Sequence, residues 1–315
     1  MLRGLGRIAS LALVVALAAG MVGCSQYGKL QAKRAFKDAN LLYQQQEFKR
    51  AAVLYEEAIA NDPSLSAAYF YLANSYDNLF KPSRKGEQEN DAYLTKAVEN
   101  YKLAAEKETD KTLRTRSFQF LIAAYGPDKL NDPSQQEPIV NRMIQLDPQD
   151  PDNYFALAKI REDAGDYPKA EEVLLQAKQA RPNDPQVYLQ LAGFYNRQEE
   201  FEKTIEALNQ RAAIEPNNPE AFYTISTYYW DKAYRDFRLK EPEKKEFVLK
   251  GLEQVDKALQ LKPDYMEALT YKNLLLRLQA NLEKDQAKQS ALLKEADRLR
   301  DQALALQKKQ AAGIK

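Results

Sequence analysis

Apolar and polar residues alternate along the middle of the chain with the period of an α-helix. Tyr154, Leu157 and Ala158 fall on one helical face, at i, i+3 and i+4. Ala170 and Leu174 mark the apolar face of a second helix, and a Gly-Asp-Tyr turn separates the two segments. Each segment starts after an Asp or Pro and stops before the next Pro, as helix-capping preferences require. The pattern therefore predicts two short antiparallel helices.

This helical pair recurs with a period of 34 residues. Pro148, Pro182 and Pro216 are separated by that interval. Other columns at the same interval hold residues of one kind: aromatic, apolar or small. These columns are Tyr154, Tyr188 and Phe222; Leu157, Leu191 and Ile225; and Ala158, Ala192 and Ser226. Small residues allow two helices to approach, and large ones fill the space between neighbours, so we expect most of the tyrosines to be core residues.

The recurring unit resembles the tetratricopeptide repeat (TPR), a helix-turn-helix unit of 34 residues. Residues 151–184 match its pattern best. The matching residues are Tyr154, Leu157, Ala158, Gly165, Tyr167, Ala170, Ala177 and Pro182. The resemblance implies an all-α fold, a TPR α-solenoid in which helix pairs stack into a right-handed superhelix.

The repeats predict how the chain is organised. We expect residues 32–283 to form a TPR solenoid of about six repeats plus a final helix, with repeats two and six enlarged and repeat three the most degenerate. Residues 284–315 are expected to form a long C-terminal capping helix and tail. The apolar residues of this helix are spaced by four and three, so a coiled-coil contact with a partner is the alternative interpretation.

Composition narrows the classes of function. The chain has 46 Lys and Arg against 45 Asp and Glu, so no strong positive field attracts nucleic acid. It contains no histidine, no Gly-rich phosphate loop and no ligand set with metal spacing. Adjacent carboxylates such as Glu171 and Glu172 are expected on solvated helix faces. The sequence therefore favours a protein that is not an enzyme and has no cofactor or metal.

The single cysteine, Cys24, suggests a lipid anchor. Arg3 and Arg7 precede an apolar run at residues 8–19, which is typical of a signal peptide. The tripeptide that ends at Cys24, Val-Gly-Cys, resembles a bacterial lipobox. The resemblance implies that residues 1–23 are a lipoprotein signal peptide, that Cys24 carries diacylglycerol and a palmitate-type acyl chain, and that residues 24–31 form a lipidated tether. A cleaved secretory signal or an N-terminal membrane anchor is the alternative.

Lipidation would place the chain in the cell envelope, anchored to a membrane with the solenoid outside the cytoplasm. Ser25 follows the cysteine. In enterobacterial lipoproteins an Asp there commonly favours retention in the inner membrane. The resemblance therefore favours the periplasmic face of the outer membrane.

The same family resemblance suggests where a partner binds. In stacked TPR units, the first helix of each pair lines an inner groove. The candidate partner-binding residues at the matching positions are Asn40, Phe70, Asn74, Phe155, Lys159, Asn196, Tyr223 and Trp230. Aromatic and amide groups suit a protein partner that presents a peptide or helical segment. Phe36 and Tyr71 stand where carboxylate-clamping TPR proteins would have Lys and Asn, so no such clamp is expected. Trp230 could instead pack against the enlarged turn of its own repeat.

These features together predict a membrane-anchored scaffold or adaptor for protein–protein interaction in the bacterial cell envelope. By resemblance, TPR lipoproteins serve outer-membrane β-barrel assembly, pilus secretin piloting and regulation of peptidoglycan enzymes. An envelope assembly factor of the pilotin or β-barrel-assembly type is therefore one alternative. An enzyme subunit and a structural spacer are the other two.

Overall fold

The computed structural model describes residues 26–312, and every regular element in that range is a helix. Cys24, the predicted signal peptide and the last three residues lie outside the described residues. Helix α1 is described over residues 26–44. The other helices are α2 (Phe48–Asn61), α3 (Ser66–Leu79), α4 (Gln88–Lys107), α5 (Lys111–Ala124), α6 (Gln136–Leu146), α7 (Pro151–Asp163), α8 (Tyr167–Ala180), α9 (Pro185–Arg197), α10 (Phe201–Ile214), α11 (Pro219–Arg235), α12 (Glu241–Leu261), α13 (Met266–Asn281) and α14 (Gln286–Ala311).

The chain divides into two compact units, of which the first ends at Pro148 and the second starts at Gln149. In each unit the odd-numbered helix is the first of a pair, and the following even-numbered helix packs against it. Turns of a few residues join most of the pairs. Two short 3-10 segments, Pro82–Arg84 and Pro133–Gln135, occupy longer connections in the first unit. This arrangement confirms the predicted all-α class.

Capping side chains set where the first helices of unit 2 begin. The carboxylate of Asp150 accepts a hydrogen bond from the backbone N–H two residues later, at 3.2 Å. Asp184 and Asn218 make the same contact at the starts of α9 and α11, both at 3.0 Å. A proline follows each cap at the first helical position, where a missing N–H costs nothing. The recurring Asp-Pro and Asn-Pro pairs thus mark where the first helices of unit 2 begin.

Small residues at one repeat position allow the paired helices to pack closely. Ala51, Ala97 and Ala170 are fully buried, as is Thr204 at the equivalent position of α10. Gly251 takes this place in α12: an added Cβ would lie 3.2 Å from the Cβ of Tyr229 in the paired helix α11, and 2.9 Å from a methyl carbon of Leu275 in the following helix α13. The helices therefore approach closely only because this column lacks large side chains.

The third repeat breaks this rule. By alignment on Pro148, its second helix places Gln136 and Met143 where the regular repeats carry small residues. The amide of Gln136 donates a hydrogen bond to the main-chain carbonyl of Ile122 in α5, at 3.1 Å. Helix α6 buries only Val140 and Met143, and a cavity of ≈ 450 Å³ lies between α4, α5 and α6. The degeneracy seen in the sequence is thus a looser helix pair.

The C-terminal helix α14 packs on α13. Ala296, Leu299 and Ala303 are buried against Leu269 and Leu276 of α13. The apolar seam that predicted either a cap or a coiled-coil contact is therefore already occupied within the chain.

The N-terminal end of the fold lies close to Cys24 in sequence. Residues 26–31, which were expected within the tether, are helical and belong to α1. Gly28 lies against the end of α2, where an added Cβ would be 3.0 Å from the carbonyl oxygen of Asn61. A side chain at position 28 would meet backbone there, so this segment is packed on the solenoid.

Replacing Ala170 with tryptophan tests the geometry of the helix pair. Ala170 is fully buried on α8, and overpacking costs about 1–3 kcal/mol even for modest insertions, so Ala170→Trp should lower the free energy of unfolding by several kcal/mol. Thermal melting followed by circular dichroism measures the loss. Ala213→Trp, on the exposed side of α10, is the matched control and should melt close to the unsubstituted protein. Equal melting of both variants would contradict the assigned packing.

Candidate partner-binding face

The first helices of unit 1 do not offer the predicted side chains to a partner. Phe70 and Asn74 on α3 are buried, at 5% and 6% exposure. The ring of Phe70 contacts Tyr71, Tyr101 and Phe120, with ring centroids 5.3 to 6.1 Å apart. The expectation that these two groove positions are exposed is therefore wrong, because aromatic residues from neighbouring helices close over them.

Asn74 is the centre of a hydrogen-bond network. Its Oδ1 accepts from the Tyr43 hydroxyl at 2.6 Å, and its Nδ2 donates to the Tyr101 hydroxyl at 3.2 Å. The Tyr101 hydroxyl also donates to the carboxylate of Asp77, which is paired with Lys129. Burial, followed by the nearby Asp77 charge, raises the pKa of Tyr101 above its ordinary value, so its hydroxyl remains a donor. Asn74 thus joins α1, α3 and α4.

Asn40 is partly accessible, and its side chain has an internal contact. Its Oδ1 accepts a hydrogen bond from the hydroxyl of Tyr55 at 2.6 Å. Burial raises the pKa of Tyr55 as well, which keeps this hydroxyl protonated. Asn40 therefore orients a core tyrosine of α2 and is less suited to gripping a peptide than the sequence indicates.

Unit 2 presents its predicted residues differently. Phe155 on α7 is half-buried, and Lys159 and Asn196 are exposed. Lys159 forms an ion pair with Asp163 one turn further along α7. We call the exposed side of α7, α9 and α11 the first-helix face of unit 2. Its residues are Phe155, Lys159, Glu162, Leu189, Gly193, Asn196, Arg197, Tyr223, Thr227 and Trp230.

A two-pronged ion pair joins α7 to α9 on this face. Arg197 Nε and Nη2 donate to the two carboxylate oxygens of Glu162, at 2.7 and 2.9 Å. Only 12% of the Glu162 side chain is exposed. The third guanidinium nitrogen, Nη1, lies beside Gly193, where an added Cβ would be 3.3 Å away. Gly193 thus leaves room for Arg197 to lie across the helix, and Glu162 fixes its orientation.

Aromatic residues extend the face onto α11 and α13. Trp230 stacks on Tyr234, with centroids 4.9 Å apart, and meets the edge of Tyr271 at 5.6 Å. Tyr223 contacts Tyr265 and the same Tyr271, at 5.2 and 5.4 Å. Burial, and then the proximity of Tyr271, raises the pKa of Tyr223 to about 12, so it is neutral at physiological pH. Trp230 and Tyr223 therefore add to packing as well as to the accessible surface.

Arg197 and Tyr271 are functional candidates that the sequence analysis missed. Arg197 lies one residue beyond the groove position that Asn196 occupies, so column matching passed over it. Its partner is Glu162, 35 positions earlier on the preceding first helix, in the repeat column that Asn196 occupies. Tyr271 belongs to the final helix, whose register is shifted by the enlarged sixth repeat.

Metal sites and membrane-spanning helices are two other features that could indicate a function. Between residues 26 and 312, no three His, Cys, Asp or Glu side chains are grouped so that they could hold a metal ion. Across that range, the helices also lack the combination of length and apolar character that crossing a bilayer requires.

Comparison with known proteins agrees with this geometry. Residues 132–192 match the tetratricopeptide repeat family. The C-terminal part of a TPR repeat-containing protein from Cytophaga hutchinsonii superposes with a TM-score of 0.54 at 14% identity, covering 86% of this chain and 98% of that one. The fold is a TPR α-solenoid.

Two further solved structures are less similar. MamA from Desulfovibrio magneticus has a TM-score of 0.42 at 17% identity, over 64% of this chain and 97% of its own. YrrB, described as a TPR protein with an unusual peptide-binding site, has a TM-score of 0.30 at 18% identity, over 75% of this chain and 88% of its own. No curated protein sequence matches the chain significantly.

Removing the Asn74 amide tests whether this residue is structural. Asn74→Ala takes one hydrogen-bond partner from each of Tyr43 and Tyr101, and a buried polar group without a partner costs about 1–3 kcal/mol. We expect a loss of that size in the free energy of unfolding, measured by urea titration. Asn196→Ala on the exposed face should stay within about 0.5 kcal/mol of the unsubstituted protein. If Asn74→Ala leaves the free energy of unfolding unchanged, Asn74 is not structural and is again a candidate for contact with a partner.

Proposed function

We propose that this protein is an interaction scaffold that binds a peptide or helical segment of another protein on the first-helix face of unit 2. The single observation that carries the proposal is the fixed guanidinium of Arg197 in the middle of this face. The TPR fold supports the proposal, since its repeats present such faces along the chain.

Arg197 is a pre-organised donor. Glu162 engages two of its nitrogens and prevents the side chain from swinging away. The edge that carries Nη1 is left to donate to a main-chain carbonyl or a carboxylate of a bound segment. A donor that is already oriented loses little conformational entropy on binding, which favours affinity.

Apolar contacts flank this donor. Phe155 lies on the preceding first helix and Trp230 on the following one, and both are half-buried. Aromatic and Arg residues at the centre of an interface commonly contribute most of its binding free energy. In unit 1 the corresponding side chains are used internally, so we assign binding to unit 2.

A side chain at position 193 should block this face without harming the fold. An added Cβ there meets only the end of the Arg197 side chain, and a helical glycine is less stable than other residues by about 0.5–1 kcal/mol, so Gly193→Gln should melt no earlier than the unsubstituted protein. Pull-down from detergent-solubilised envelope identifies the partner, and titration with that partner then measures affinity. We expect Gly193→Gln to lose binding.

The matched control is Ala213→Gln, an equally long addition on the exposed side of α10. It should bind normally. If Gly193→Gln is stable and also binds normally, the partner uses another surface.

We further propose that the scaffold is held in the cell envelope by acyl chains on Cys24, with the periplasmic face of the outer membrane favoured. The support is the apolar run that ends in Val-Gly-Cys and the absence of any second cysteine to pair with Cys24. Two or more acyl chains hold a protein on a bilayer stably, whereas one holds it weakly.

Intact mass of the purified protein decides the anchor. We expect a mature chain that starts at Cys24 and carries the added mass of diacylglycerol and an acyl group. Cys24→Ser should move the protein from the membrane fraction to the soluble fraction if the acyl chains are the only attachment. A mature chain with another N-terminus, or with a free Cys24 thiol, would refute the proposal.

A further inference from the structure

The outer face of α1 is both apolar and basic, and it is exposed. We give this name to five residues spaced by three and four positions: Tyr27, Leu30, Arg34, Lys37 and Leu41. Tyr27 and Leu30 are each 65% exposed, and Leu41 is 57% exposed. The opposite side of the helix carries Ala32 and Ala39, which are fully buried. The side of α1 that faces solvent therefore carries large apolar residues as well as charged ones.

Packing within unit 1 does not explain this face. A single exposed apolar residue is ordinary on a protein surface. Three in line on one helix, alternating with cations, form the pattern of a helix that lies on a membrane surface. The terminal helix of a solenoid normally needs a polar outer side for solubility, so the three apolar residues carry a cost in water.

The charged residues of α1 are mostly positive. Its described residues carry four cations and one carboxylate, Asp38. Within residues 26–312, neither Arg34 nor Lys37 forms an ion pair. Lys29 and Lys33, on the flank, lie near Asp62 at the end of α2, whose pKa is lowered chiefly by its hydrogen bond from Ser64. Arg34 and Lys37 on the outer face thus remain available to an anionic partner.

The face also lies next to the proposed site of lipid attachment. Gln26, in α1, is two residues after Cys24. Gly28 is packed against Asn61, so α1 is fixed to the solenoid from its first described turn. A chain acylated at Cys24 would therefore bring the outer face of α1 within reach of the bilayer surface.

We propose that the outer face of α1 docks on an anionic bilayer surface. Arg34 and Lys37 contact phospholipid phosphates, and Tyr27, Leu30 and Leu41 enter the boundary between the headgroups and the acyl chains. The docking rests on the proposed acylation of Cys24. Acyl chains alone would tether the solenoid at one point, whereas a second contact along α1 also sets the orientation of unit 1 against the membrane.

An environment-sensitive fluorophore on Leu30→Cys tests the docking in the acylated protein, where Cys24 is blocked. The protein is placed on vesicles of phosphatidylcholine, and on vesicles of phosphatidylcholine mixed with phosphatidylglycerol. We expect a shift of emission to shorter wavelength on the anionic vesicles only, and its loss at high salt. The same fluorophore on Leu175→Cys, an exposed position of α8 in unit 2, should not shift.

Charge reversal supplies the matched control. Arg34→Glu with Lys37→Glu should abolish the shift at position 30. Lys308→Glu with Lys309→Glu changes the charge equally on exposed positions of α14 and should leave the shift intact. Both pairs lie on exposed helix surface, and circular dichroism checks that each variant is folded.

The outcomes separate the docking from the anchor. Protein that floats with anionic vesicles but shows an unshifted Leu30 probe overturns the docking and leaves the anchor standing. Protein that fails to float with phosphatidylcholine vesicles overturns the anchor and the docking together. A shift that appears without vesicles and grows with protein concentration means that a second copy of the chain covers the face, which also overturns the docking.

Discussion

The close approach of two helices at one small side chain is the contact on which the rest of this fold depends. Ala51, Ala97 and Ala170 allow it, and at Gly251 an added Cβ would already lie 3.2 Å from the Cβ of Tyr229 on the paired helix. Once the pair is close, the large residues of neighbouring helices interdigitate and bury their apolar area. Spacing of the pairs then determines which side chains reach the surface of the first helices.

The same architecture gives the two units different surfaces. In unit 1, tyrosine hydroxyls from two helices, Tyr43 on α1 and Tyr101 on α4, form hydrogen bonds with the buried amide of Asn74. Buried polar networks of this kind are stable only when complete, so the Asn74 amide is not free to contact a partner. In unit 2, a glycine and an arginine occupy the corresponding region, and the face stays open. The residue at this position of the first helix thus separates a face closed by packing in unit 1 from an accessible face in unit 2.

Periodicity was enough to predict the helices, because each column of the repeat reports the same packing environment several times. The final helix of the predicted solenoid, for example, is present as Met266–Asn281. The burial of Phe70 and Asn74 could not be predicted from the columns, since it depends on Tyr101 in the second helix of the enlarged second repeat. Arg197 was missed for a similar reason: its role is defined by Glu162 on another repeat. Contacts between repeats need three-dimensional distances, which a column alignment lacks.

The loose packing of the third repeat affects where unit 1 opens locally. Helix α6 buries two of its eleven residues, and Gln136 ties it to α5 through one amide. Detaching α6 therefore exposes little apolar surface, and the free energy of that opening lies well below that of global unfolding. We therefore expect the amide protons of α6 to exchange early among the described helices of unit 1, and a protease to cleave there first. Local opening is thus expected at α6, in the repeat whose sequence follows the TPR pattern least closely.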